Sequence, residues 1–177
     1  MSTVLMTDCT GLWRRTLLVE ADGSRDTASD VRWLQGTAAY VDSRGFAGWL
    51  DQRDDIFEWS RLIDTQPPSG KPDAGRMRWE ASTLVEVGVH SDYVEHWVRD
   101  DGKTAPSWAL FVRRDDADEA LLLRVGELFG WADHSGVVIG AVGGPEWTAL
   151  SPYLFGSDLE ANGVRWSVEE SEGDVEL

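Results

Sequence analysis

The chain has 177 residues, with 42% apolar and 10% aromatic content, enough for a packed core in one domain and too much for a disordered chain. Thirty-two Asp plus Glu stand against sixteen Lys plus Arg, a formal net charge of −16 with only two lysines, Lys71 and Lys103. That balance argues against nucleic acid and anionic membranes as partners, because both are bound by basic residues that neutralise phosphates. Cys9 is the sole cysteine, so no internal disulfide is possible. With no basic leader, no apolar signal segment and no transmembrane stretch in view, a cytoplasmic location is expected.

Taken in order, Leu12 to Glu20 is the first strand, followed by a turn at Asp22-Gly23. Val31 to Gln35 and Tyr40 to Arg44 are short strands around Gly36. Gly45 to Asp55 mixes glycines with no clear period and reads as a bend or bulge. Ile56 to Asp64 alternates, placing Phe57, Trp59, Arg61 and Ile63 on one face. Thr65 to Gly75 holds three prolines and two glycines and must be a loop, either a plain connection or a lid at a cavity mouth.

Arg76 to Arg99 contains three alternating runs: Met77, Trp79 and Ala81; Val85, Val87 and Val89; Val94, His96 and Val98. A period of two means strands buried on one face, hence an antiparallel sheet with a core side and a wet side. Ser107 to Arg113 follows as a strand, then Ala120 to Val125 and Glu127 to Ala132 as a hairpin about Gly126. Gly136 to Val142 is wholly apolar and suggests a strand covered on both sides. Pro145 to Leu154 suggests one short helix opened by Pro145 and Glu146 and weakened by Pro152. Val164 to Val168 is a last strand after the Asn162-Gly163 turn, and residues 169–177 form an acidic tail expected to fray.

About ten short strands, one or two short helices and frequent turns define an all-β, antiparallel β-barrel as the expected fold, with the whole chain, 1–177, as its single domain. Closure removes open edges and turns one face of every strand toward an interior. Parity leaves two readings of that interior. In one, the valines face the core and the polar faces are wet. In the other, Arg44 beside Tyr40 and Asp42, Arg61 beside Phe57 and Trp59, and Tyr93, Glu95, Trp97 and Arg99 point inward, forming an aromatic cage crossed by charges. The residues singled out for ligand contact are therefore Arg44, Trp59, Arg61, Tyr93, Glu95 and Trp97. Glu95 and Asp42 are the candidates for proton transfer.

No Gly-x-Ser-x-Gly, His-Glu-x-x-His or Cys-x-x-Cys occurs, and Gly140 to Gly144 has the spacing of neither a P-loop nor a dinucleotide fingerprint. His90 and His96 would lie too far apart on one strand to share a metal. No metal and no cofactor is expected.

Gly11-Leu12-Trp13 resembles the Gly-x-Trp opening of lipocalins and other calycins, in which the tryptophan plugs one end of the barrel. Tyr40-Val41-Asp42, Gly45-Phe46-Ala47-Gly48, the Trp59, Asp64, Gln66-Pro67-Pro68 run, Glu86-x-Gly88-Val89, Tyr93-x-Glu95-x-Trp97 and Asn162-Gly163-x-x-Trp166 are similar to bacterial lipocalin-like proteins related to the eukaryotic Hri family. The resemblance implies a calycin-like barrel in the cytoplasm and no particular reaction. The expected function is binding of a small, partly apolar molecule in the barrel interior. The alternatives are a cofactor-independent cyclase, isomerase or dehydratase using an interior carboxylate, and a protein-interaction module with a filled barrel.

Overall fold

The computed structural model describes residues 2–115 and 117–177. Its strands are β1 (Gly11–Val19), β2 (Arg25–Asp26), β3 (Arg32–Gln35), β4 (Ala39–Asp42), β5 (Phe46–Arg53), β6 (Ile56–Asp64), β7 (Ala74–Glu80), β8 (Thr83–Gly88) and β9 (Val94–Arg99). After these come β10 (Ser107–Arg114), β11 (Asp118–Val125), β12 (Leu128–Asp133), β13 (Gly136–Ala141), the helix α1 (Pro145–Leu150), β14 (Tyr153–Phe155), β15 (Asp158–Ala161) and β16 (Val164–Glu172). Sixteen strands thus replace the ten expected, because short strands such as β2 and β14 carry too few residues to show a period.

The fold is all-β and antiparallel. β1 and β3 to β9 pair in sequence order, and β9 returns to pair with β1, closing an eight-stranded barrel. The second sheet runs β13-β12-β11-β10-β16-β15-β14 and curls into a half-barrel. No helix among the described residues is long and apolar enough to cross a membrane.

Three cores follow from this arrangement. The barrel interior holds Trp13, Trp33, Trp59 and Trp97 with Tyr40, Phe46, Phe57 and Leu84. Trp33 sits at the hub, with ring centroids 5.6 Å from those of Trp13, Trp59 and Trp97. Edge-to-face and stacked contacts at this range add to the hydrophobic gain of burial. A second core fills the space between the outer barrel face and the half-barrel, where Leu34, Val41, Ala47 and Ile63 meet Phe111, Leu121 and Leu123. Trp49 stacks on Phe111 there at 5.1 Å. The third core lies inside the half-barrel around Trp108, Leu122, Trp131 and Trp166, with Leu150 of α1 packed in.

Several expectations need correction. Residues 46–53 of the presumed bend form β5, whose period is masked because Phe46 and Leu50 fill the barrel while Ala47 fills the second core. A bulge between Ala47 and Gly48, opposite Leu62, turns Ile63 onto the outer face, away from Phe57 and Trp59. Ala81 lies in the β7–β8 turn with a positive φ, not on the β7 face. Strands covered on both sides include β4, β10 and β11, whereas the apolar run at 136–142 is the half-exposed edge strand β13. The helix stops at Leu150, since Pro152 can neither donate nor leave its predecessor helical, and Tyr153–Phe155 is a strand. The tail is ordered as β16 through Glu172. The Glu172 carboxylate accepts the Ala38 and Ala39 amides at 2.9 and 3.2 Å and so fastens the half-barrel to the β3–β4 turn.

One end of the barrel is closed. Val4, Met6 and Cys9 pack against the interior core, and the Trp13 indole donates to the Cys9 carbonyl at 2.7 Å. The tryptophan of Gly11-Leu12-Trp13 is thus an end plug. Truncating the hub should cost the most: Trp33→Ala is expected to lower unfolding free energy by about 3–5 kcal/mol. Urea denaturation followed by far-ultraviolet dichroism measures it, and a loss near that of an exposed site would show that the indole hub does not hold the barrel.

Candidate functional site

The opposite end is charged. Asp42 ends β4, and Arg44 follows it by two residues. Their carboxylate and guanidinium form a two-point pair, with Arg44 Nε and Nη2 donating to Asp42 Oδ1 and Oδ2 at 3.0 and 2.9 Å. Glu95, on the inward face of β9, accepts from Arg15 of β1 at 2.9 Å and from Arg44 at 3.4 Å. Arg61 donates to Asp64 at 3.0 Å and to Asp73 at 2.8 Å, and its guanidinium lies 3.7 Å above the Phe46 ring. Arg44 lies 5.1 Å from the same ring and 5.7 Å from that of Trp97. Planar cations over aromatic faces and in two-point carboxylate pairs are held more firmly than a lone lysine would be.

The two readings of parity are thereby resolved. Glu95 and Trp97 are buried on the core side of β9, and Val94 and Val98 lie on its outer, half-exposed side. Arg44, Trp59, Arg61, Tyr93, Glu95, Trp97 and Asp42 all gather at this one end, lining either an inner void or an outer cleft.

The inner void, bounded by Trp33, Trp59, Trp97, Asp42, Arg44 and Glu86, has a volume of about 10 Å³. That is room for one water at most. The indoles fill most of the lumen, and the larger space at this end lies outside it. Among the described residues the buried Trp97 indole N–H has no acceptor, and it borders this void. The outer cleft measures about 260 Å³ and is lined by Arg15, Arg44, Arg61, Lys71, Tyr93 and Glu95 among others. Ser69, Lys71, Pro72 and Asp73 of the proline-rich loop form part of its wall, so that loop stands at a cavity mouth.

Sequence reasoning missed Glu86, Arg15, Trp33 and Asp73. Glu86 alternates with Leu84 on β8, and the valines between them drew attention to the wrong face. Glu86 is fully enclosed, its Oε2 is 2.5 Å from Tyr93 Oη, and it makes no ion pair among the described residues. Burial, then the charge of Glu95, pushes its carboxyl well above the usual range, against weaker opposing effects from Tyr93 and Arg44. Burial also raises Glu95, but Arg44 and Arg15 oppose it. Both carboxyls are raised, and Glu86, with no cation of its own, is the one pushed further from its ordinary range. Arg44 stays charged, because Asp42 outweighs the lowering effect of its burial.

A wider cleft of about 830 Å³ opens at the plugged end, beside Trp13, Trp79, Arg99 and Asp101. Among the described residues no comparable set of interlocked buried charges faces it. Among the described residues no group of three or more His, Cys, Asp and Glu is placed to hold a metal.

A closed antiparallel barrel with a packed lumen and one charged mouth is the class that this geometry defines. The fold is similar to that of an uncharacterised protein of Saccharomyces cerevisiae, YLR301w, whose crystal structure matches with a TM-score of 0.61 at 14% identity, over 92% of this chain and 98% of that one. No family profile and no curated protein matches the chain.

The raised Glu86 has a consequence for stability. The native state keeps a proton that the unfolded chain releases above about pH 4.3, so unfolding free energy falls as pH rises, by at most about 1.4 kcal/mol per unit, until Glu86 itself ionises. Glu86→Gln should remove that decline while keeping a partner for Tyr93. Urea midpoints from about pH 5 to about pH 9 test it, and wild-type stability that rises across the window contradicts the assignment.

Proposed function

We propose that this chain is a small-molecule binding protein whose site is the cleft at the charged barrel mouth, and that its ligand is a small, partly apolar anion. The observation that carries this reading is the convergence of Arg15, Arg44, Arg61 and Lys71 on one cleft, in a chain with only sixteen basic residues. The guanidiniums are held by Asp42, Asp64, Asp73 and Glu95, yet the Arg44 and Arg61 side chains remain 33% and 27% exposed. Each guanidinium has five N–H donors, more than its recorded partners use, so spare donors remain for a carboxylate or phosphate. Lys71 adds an exposed cation from the loop. Leu18, Pro72 and the Tyr93 ring supply the apolar part of its lining.

Barrel mouths are common ligand sites, which agrees with the likeness to calycins. Membership among bacterial lipocalin-like proteins related to the Hri family, a cytoplasmic location and a single domain belong to the same proposal. The shared core between barrel and half-barrel supports the last of these. Glu95 and Asp42 are assigned here to holding the arginines. A catalytic reading of this mouth has its own support in the enclosed, proton-bearing Glu86.

Indole emission of the chain includes Trp33, Trp59 and Trp97, which border the void next to the mouth cleft. Benzoate and phenyl phosphate should change it saturably, whereas the cation benzamidine should not. Arg61→Gln and Lys71→Gln should each weaken benzoate binding by about three- to tenfold. Equal responses to benzoate and benzamidine, or none to any of the three, reject the anion site. Conversion of a bound compound that ceases in Glu86→Gln favours the catalytic reading.

A further inference from the structure

Glu86 and Tyr93 lie on either side of the wall between the two spaces at the mouth. Glu86 borders the inner void and Tyr93 borders the outer cleft, and their oxygens meet at 2.5 Å. The backbone makes room for both. A Cβ on Gly75 of β7 would stand 2.5 Å from Glu86 Cγ and 2.9 Å from its Oε2. On Gly88, which ends β8, it would stand 2.2 Å from the Ser91 carbonyl and 2.5 Å from Tyr93 Cε1. Neither approach tolerates a side chain, so the two glycines are fitted to this carboxyl and this phenol.

From this arrangement we propose that Glu86 and Tyr93 form a hydrogen-bond relay that presents the Tyr93 hydroxyl to a carboxylate oxygen of a ligand seated in the mouth cleft. The inference rests on the binding reading given above. In the structure Tyr93 Oη donates to Glu86 Oε2, and a protonated Glu86 would reverse that bond and donate its own O–H to Tyr93 Oη. The phenol then has its own hydrogen free, and the nearest protein acceptor for it, the Ala74 carbonyl, is distant at 3.5 Å. A ligand oxygen in the cleft is a better acceptor. When Glu86 ionises, the phenol turns to donate to the Glu86 carboxylate instead, and the donor is withdrawn from the cleft.

The charges around the pair favour the first arrangement. Glu95 from β9, Asp73 from the loop before β7 and Asp42 from β4 face it, with Arg44 as the nearby cation. Burial and the charge of Glu95 hold the proton on Glu86, and burial together with Glu86 keeps Tyr93 in its phenol form. Ligand recognition thus takes two parts: the guanidiniums supply charge, and Tyr93 supplies one directed neutral donor.

Two measurements on the full chain test the relay. Carboxyl carbon NMR of glutamate-labelled protein, with Glu86 assigned by its loss in Glu86→Gln, should show titration well above the ordinary value of about 4.3, and titration near that value overturns the relay. Benzoate affinity, read by indole fluorescence against pH, should fall in the wild type as Glu86 ionises. It should be nearly flat over the same range in Glu86→Gln, whose amide still donates to Tyr93. Tyr93→Phe should bind benzoate about tenfold more weakly on the acid side and lose the dependence on Glu86. Unaltered affinity and pH profile in Tyr93→Phe overturn the relay alone. Absence of benzoate binding to the wild type at every pH overturns the mouth reading, and this donor role with it.

Discussion

The two-point pair between Asp42 and Arg44 is the contact on which the charged end of the barrel depends. It lies on the indole packing, where an unpaired charge would be costly, and it places Arg44 within reach of Glu95. Glu95 in turn fixes Arg15, so a chain of ions crosses from β4 to β9 and on to β1, where the barrel closes. The β1–β9 seam is therefore held by backbone pairing along its length and by this ion lattice at one end. The opposite end is held by the Trp13 plug. A barrel fixed at both ends and filled between them resists deformation, and a mouth built on it keeps its side chains in place.

Much of the barrel was legible because β6, β7 and β9 are wetter on one face, so two-residue alternation survives in them. The signal fails where both faces are covered. β5 faces the barrel interior with Leu50 and the half-barrel with Ala47, and its period vanishes between them. The half-barrel was the larger surprise. Leu121, Leu122 and Leu123 serve two different cores in succession, which composition alone cannot distinguish from a strand buried in one. The mouth residues came through as a set, since Tyr93, Glu95 and Trp97 share parity with one another and Asp42 stands beside Arg44. Glu86 stayed hidden because it obeys the same parity in a strand whose valines mask it, and because no local pattern reveals that Gly75 of the neighbouring strand leaves space for it.

The tryptophan count had two physical meanings, and the structure separates them. Indoles can line a cavity or fill one. Here the four in the barrel gather around Trp33 and leave space for a single water at most, so they fill the barrel rather than line a cavity in it. On the binding reading proposed above, specificity would come from the rim: from loop 65–73, from the arginines and from the phenol. The net acidity of −16 sharpens this. An anion approaching the molecule is repelled by most of its surface, and only a locally cationic patch can reverse that field at short range.

The strand order carries a lesson about synthesis. Every pairing that closes the barrel lies within residues 11–99, and every strand of the half-barrel comes after it. On the ribosome the cylinder can therefore shut while the segment that covers Leu34, Val41, Ala47 and Ile63 is still being made. During that interval a greasy flank faces water or a chaperone. It is hidden only when β10 and β11 emerge, and it is latched when Glu172, near the far end of the last strand, reaches the amides of Ala38 and Ala39.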